Sequence, residues 1–173
     1  MKAIFAAGEF TPTEFNSCED KAWFANHFVH FVEAGCPQRL FTKRFYRRLS
    51  LCFGHIAHYD IHGFGAEWFS SSHSKAAFFR YTLNYRPIGD PAFTYSDVER
   101  AILKYLRASS LPHVYEMDAK AEIEARERHL LSSLKAKYES PGPPSSAPRD
   151  DGAEPHALER DCSHPVRQMS LFG

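Results

Sequence analysis

Residues 17–37 read SCEDKAWFANHFVHFVEAGCP, and the helix they predict sets the fold class. Ser17 is a good N-cap, Glu19 and Asp20 suit the positive end of a helix, and Gly35 followed by Pro37 stops it. Trp23, Phe24, His27, Phe28, Phe31 and Val32 recur at helical spacing as one apolar face, with His27 among them as a satisfied core histidine. A face so rich in aromatics must be buried by several partners. The rest of the chain is therefore read for what can cover it.

Downstream, Phe41, Phe45, Leu49, Cys52, Ile56 and Tyr59 are spaced as the buried stripe of a second helix that begins near Leu40 or Thr42 and ends over Asp60 to Gly63. Gly54 lies inside it at a cost of about 1 kcal/mol relative to alanine. The stretch GFGAEWF, residues 63–69, reads as a brief strand or an irregular turn that packs Phe64, Trp68 and Phe69 onto the core. The serine cluster SSSHS, residues 70–74, supplies N-caps for a helix over about 73–85, stopped before Pro87, although AFFRYTLNY alternates nearly well enough for a strand. RPIGDP is a turn. In FTYSDVERAILKYLR, Ser96 and Glu99 form a predicted capping box, with Val98, Ile102, Tyr105 and Leu106 facing inward. Residues 118–138 make a long charged helix with i,i+4 pairs such as Glu122–Arg126 and Glu124–Arg128, resting on the domain through Ile123, Leu130, Leu134 and Tyr138.

The expected fold is mainly α. It is a compact bundle of about five helices over residues 1–139, with at most one short β element near residues 1–7 or 63–69. Trp23, Phe28, Phe31, Phe45, Leu49, Ile56, Val98, Ile102 and Leu106 are expected in the core. After Tyr138 the composition shifts to proline, serine, glycine and charge, so residues 140–173 are expected to be a disordered tail.

The chain has 173 residues, 43% hydrophobic with 15 phenylalanines, enough for a core without a disulfide or metal. Lys plus Arg and Asp plus Glu number 21 each, which excludes a protein that coats nucleic acid by bulk charge. Cys18, Cys36, Cys52 and Cys162 form no C-x-x-C pair and read as reduced thiols. Together with the absence of a signal-like or membrane-spanning apolar run, they make a cytoplasmic location and no membrane partner the expectation. Glycine-rich phosphate loops, dinucleotide fingerprints, G-x-S-x-G and H-E-x-x-H are all missing, so the common motif-bearing enzyme classes are disfavoured.

Charge is nonetheless uneven. Residues 34–59 carry Arg39, Lys43, Arg44, Arg47 and Arg48 and no acid, whereas residues 1–33 hold five acids against two bases. If the second helix is continuous, Arg44, Arg48, Leu51, His55, His58 and His62 project onto one row beside the apolar stripe. That row, with Lys43 and Arg47, is the candidate partner-binding site. An acidic protein surface is the favoured partner, and nucleic acid bound through helix 39–48 is the alternative. Basic residues that merely solvate the helix or pair with the acidic first segment are the simpler account of the same pattern. His55, His58 and His62 also have the spacing of a helical metal site, but no carboxylate lies on that face to orient them, and no cofactor is expected. A motif-poor or histidine-metal enzyme ranks third. Cys52 beside His55 is a poor nucleophile, because burial raises a thiol's pKa.

The segments FGHIAHYDIHGFGAEWF and GDPAFTYSDVERA resemble stretches of small uncharacterised proteins carried by bacterial plasmids, phages and integrative elements, over about residues 20–106. The resemblance implies an accessory role: a non-catalytic regulator of a host or element process, or an inhibitor that binds a component of a defence system.

Overall fold

The computed structural model describes residues 3–55 and 60–139. Ile56, Tyr59 and His58, and the expected tail over 140–173, lie outside the described residues. Within them the chain is all helical: α1 Cys18–Glu33, α2 Lys43–Leu49, α3 Ile61–Phe69, α4 Ser72–Asn84, α5 Ser96–Ala108 and α6 Leu111–Tyr138, with single 3₁₀ turns at Ala7–Glu9 and Gln38–Leu40. Among the described residues neither candidate β position is a strand.

Helix α1 is the centre of the bundle, and it begins and ends where its sequence directs. Ser17 and Asp20 form a reciprocal capping box at its start. At its end the Gly35 N–H donates to Val32 O and the Cys36 N–H to Phe31 O, the paired bonds of a Schellman turn. Phe24, Phe28, Phe31, Phe45, Leu49, Val98, Ile102 and Leu106 are fully buried, and their rings interlock across helices, as in Phe31 on Phe45 with centroids 5.1 Å apart. Trp23, expected in this core, is only half-buried and sits at its edge. His27 is satisfied as expected, through Nε2 and Leu40 O at 2.9 Å.

The second helix is not continuous. It ends at Leu49, and Phe53 (φ 56°) and Gly54 (φ 66°) both adopt the left-handed conformation, turning the chain away. A phenylalanine held there is strained by about 1–2 kcal/mol. Two contacts hold it. Its ring is fully buried, and its N–H donates to Glu99 Oε1 at 2.6 Å. Glu99 is therefore not the capping residue of α5. Tyr95 occupies the N-cap position, and the Ser96 hydroxyl donates to Gly89 O.

Residues 63–69 belong to α3, not to a strand. Asp60 is the N-cap, its carboxylate accepting the Gly63 N–H at 2.7 Å. Helix α6 starts seven residues earlier than its charge pattern suggests, packing Tyr115 and Ala119 against the domain, with the Tyr115 ring stacked on Phe79. Ile123, Leu130, Leu134 and Tyr138, expected to rest on the domain, are exposed. Among the described residues no helix is long and apolar enough to cross a membrane.

One interior group is out of keeping with all this aromatic packing. Lys21, on α1, has no exposed surface, and its Nζ donates to Pro91 O at 2.8 Å, Thr94 O at 2.9 Å and Asp97 Oδ1 at 3.0 Å. Removing one member of a buried pair strands the other. Lys21→Met should therefore lower the unfolding free energy by about 3–5 kcal/mol, read from urea denaturation curves, and a loss below about 1 kcal/mol would show that the ion pair does not hold the bundle.

Candidate functional site

The predicted row of cations does not survive the turn at Phe53, and its described members go to different environments, His58 lying outside the described residues. Lys43, Arg44, Arg47 and Arg48 stay together on α2 and line a shallow basic surface. Arg44 is partly spent within the domain: Nη2 donates to Asp20 Oδ1 at 3.1 Å, and its guanidinium lies 3.8 Å from the centre of the Trp23 ring. This is the internal pairing with the acidic first segment that the charge pattern allowed, and it also explains why Trp23 stays at the surface.

His55 leaves the row altogether. It is buried, stacked on Phe78 at 4.8 Å with planes 7° apart, ringed by Phe64, Trp68 and Tyr81, and its Nε2 lies 3.3 Å from Thr82 Oγ1. Burial lowers its pKa from 6.5 to about 4, so at neutral pH it is an uncharged core ring and not part of a cationic edge. His62 is exposed on α3, and among the described residues no three metal-ligating side chains converge. The Cys52 thiol is fully buried and pushed well above its usual range, chiefly by desolvation.

Arg48 is the member of the row that meets something new. On its far side from Lys43 and Arg44 opens a groove of about 310 Å³, lined by Asn16, Arg48, Leu51, Phe93 and Tyr95 with Phe15. Three of these are large apolar side chains left to solvent: Phe15 is 81%, Leu51 72% and Phe93 83% exposed. Isolated exposed hydrophobics are ordinary, but three around one concavity are a binding feature. The Tyr95 hydroxyl and the Asn16 side-chain oxygen are buried in this wall without hydrogen-bond partners among the described residues. Burial, partly countered by Arg48, whose guanidinium lies 5.8 Å from the ring centre, pushes the Tyr95 phenol up to about 12.

Both walls are rigid. In the first, Thr13 Oγ1 accepts the backbone N–H groups of Phe15 and Asn16 and the Asn16 side-chain amide, fixing the turn that presents Phe15. In the second, Asp90 O accepts the N–H groups of Phe93 and Thr94, and Asp90 Oδ1 that of Ala92. Gly89 enters this loop at φ +96°, and a Cβ there would sit 2.8 Å from the Thr94 methyl, so only glycine fits. Lys21 then ties Pro91 and Thr94 to α1, while Asp97 Oδ2 accepts the Thr11 N–H at 2.9 Å.

Phe15, Asn16, Phe93 and Tyr95 escaped the charge-based reading, which had only Leu51 of this apolar wall on its row, because the groove is made by segments about 80 residues apart. A signal was present all the same. Phe15 and Phe93 are large apolar residues in short polar stretches with proline, TPTEFNS and GDPAFTYS, where no periodicity gives them a core face. Compared with protein-family models, curated proteins and solved structures, the chain finds no match.

The buried histidine makes the domain acid-sensitive. Because its folded-state pKa of about 4 lies below 6.5, the unfolded chain binds the proton more tightly. Stability is complete above about pH 6.5 and declines by up to about 3 kcal/mol as pH falls towards 4. His55→Phe keeps the stack and removes the titration. Urea unfolding at pH 7 and pH 4.5 should show a much shallower fall for that variant than for wild type; equal falls would place the acid sensitivity elsewhere.

Proposed function

We propose that this chain is a regulatory binding protein that captures an acidic protein segment on Arg48, seating a neighbouring apolar side chain of that segment in the adjacent groove. The observation that carries the proposal is the junction itself. Arg48 belongs at once to the basic surface of Lys43, Arg44 and Arg47 and to the wall containing Leu51, Phe93 and Tyr95. A cation beside exposed aromatic and aliphatic anchors on fixed loops has the composition of an interface hot spot. A carboxylate placed at Arg48 gains a charge-assisted hydrogen bond, and the unpaired Tyr95 hydroxyl and Asn16 oxygen offer a donor and an acceptor to the same segment once the wall opens slightly.

Such a role suits an accessory protein of the cytoplasm that regulates or blocks a partner by occupying its surface. Nucleic acid is the poorer fit to this junction, because half of it is apolar and the cations come from one seven-residue helix.

The test is a selection from a random peptide display library against wild-type protein and the double variant Arg48→Glu, Leu51→Ser, Leu51 being exposed and Arg48 half-buried. Wild type should enrich peptides with an Asp or Glu next to a large apolar residue, and the variant should bind them at least about tenfold more weakly while melting normally. Enrichment that ignores the substitutions would refute the site. Duplex DNA bound with a slope of log affinity against log salt near −2 to −4 would transfer the basic helix to the nucleic-acid reading.

A further inference from the structure

Helix α4 runs antiparallel to α6. Its first N–H group, of Ser72, donates to Glu122 Oε2, and Arg80, eight residues on, pairs with Glu116 at 3.2 Å. Helix α4 thus begins level with Glu122, whereas α6 continues to Tyr138. The face that Tyr115 and Ala119 bury against the domain carries on beyond this point as Ile123, Leu130 and Leu134, with Leu131 and Tyr138 beside them. These five are between 43% and 71% exposed. Apolar residues sustained at helical spacing past the end of their support lack a partner within the described residues, and charge indicates which partner they take.

Residues 122–127 hold Glu122, Glu124 and Glu127 against Arg126, a net of −2, and residues 128–138 hold Arg128, Lys135 and Lys137 with no acid, a net of +3. The segment is complementary to itself when reversed. The apolar positions share that symmetry, since Ile123 and Tyr138 lie at equal distances from the pair Leu130 and Leu131. We propose that the projecting half of α6 pairs antiparallel with the same segment of a second copy, forming a two-fold dimer. Ile123 packs on the partner's Tyr138, Leu130 and Leu131 meet about the axis, and Glu127, set opposite the partner's Leu134, reaches the partner's Lys135 one residue on, while Glu124 stays paired with Arg128 of its own helix. A parallel pairing sets Glu127 against Glu127 and Lys135 against Lys135, and is disfavoured for that reason. Two sixteen-residue stretches bury less than the ~1,200 Å² of a standard interface, so the dimer should dissociate in the micromolar range.

Sedimentation equilibrium of the full chain over a concentration series tests this. Wild type should pass from monomer to dimer, and Leu130→Glu with Leu134→Glu, both at exposed positions, should remain monomeric with unchanged helix content. Glu127→Lys alone should weaken the dimer about tenfold, and adding Lys135→Glu to the same chain should restore it, because only the antiparallel arrangement brings the two reversed charges together. A wild-type chain that stays monomeric throughout the series would overturn the proposal and assign the face to another protein or to residues 140–173 of its own chain. A dimer indifferent to Leu130→Glu and Leu134→Glu would place the interface elsewhere, and failure of Lys135→Glu to rescue Glu127→Lys would overturn the antiparallel register.

Discussion

The buried ammonium of Lys21 is the constraint on which the rest of the structure depends. A lysine with no contact with water stays charged only if its donors are all met, and the acceptors come from Pro91, Thr94 and Asp97, some 70 residues away. The ion pair thereby fixes where the loop before α5 lies on α1. Asp97 extends the same network to the Thr11 N–H, so the N-terminal segment is drawn to the same point. Desolvating two charges makes such a pair a poor source of net stability, but it has one geometry, and that geometry places both walls of the groove at Arg48.

Glu99, on α5, plays a comparable part where α2 stops. Without its carboxylate at the Phe53 N–H, the left-handed pair Phe53 and Gly54 keeps, among the described residues, only the Tyr81 hydroxyl's bond to Gly54 O, and the run from Phe41 to Tyr59 has the spacing to continue as one helix. Burial raises the Glu99 pKa, a sign that the charged form is held at some cost. The outcome is a short α2 whose last turn carries Arg47 and Arg48, followed by a turn that leaves Leu51 outside and sends Phe53 and His55 inside. Charge on one side and apolar surface on the other follow from where that helix stops.

What was legible in the sequence divides along physical lines. Helix α1, with its cap, stripe and stop, follows from local rules because every device that makes it lies within its own residues, and the same holds for α4 and the inward face of α5. Features made by distant groups were not readable. The break after Leu49 depends on Glu99, so Gly54 alone looked like a tolerated flaw in a helix. Ser96 and Glu99 match a capping box by spacing, but each side chain bonds outside its own helix. In α3 two glycines dilute the helical signal, and the N-cap Asp60 that starts it was assigned to the end of the preceding helix. As for the candidate site, the grouping of Arg48 with Lys43, Arg44 and Arg47 was legible from charge, while His55 was misplaced by carrying a helical projection through a turn.

The exposed residues of the groove are accounted for better by the proposed binding than by folding. Phe15, Leu51 and Phe93 contribute little to the monomer, since most of each side chain remains in water. A domain that buries eleven other phenylalanines does not lack room for aromatic rings. At about 25 cal/mol per Å² of apolar surface, covering three such side chains supplies several kcal/mol to an association. The usual deductions for ordering loops are small here, because Thr13 and Asp90 already hold the backbone of both walls. Fixed loops carrying unburied apolar side chains beside an arginine are therefore consistent with a surface held ready for a partner, and the buried Lys21 pair is what keeps it so.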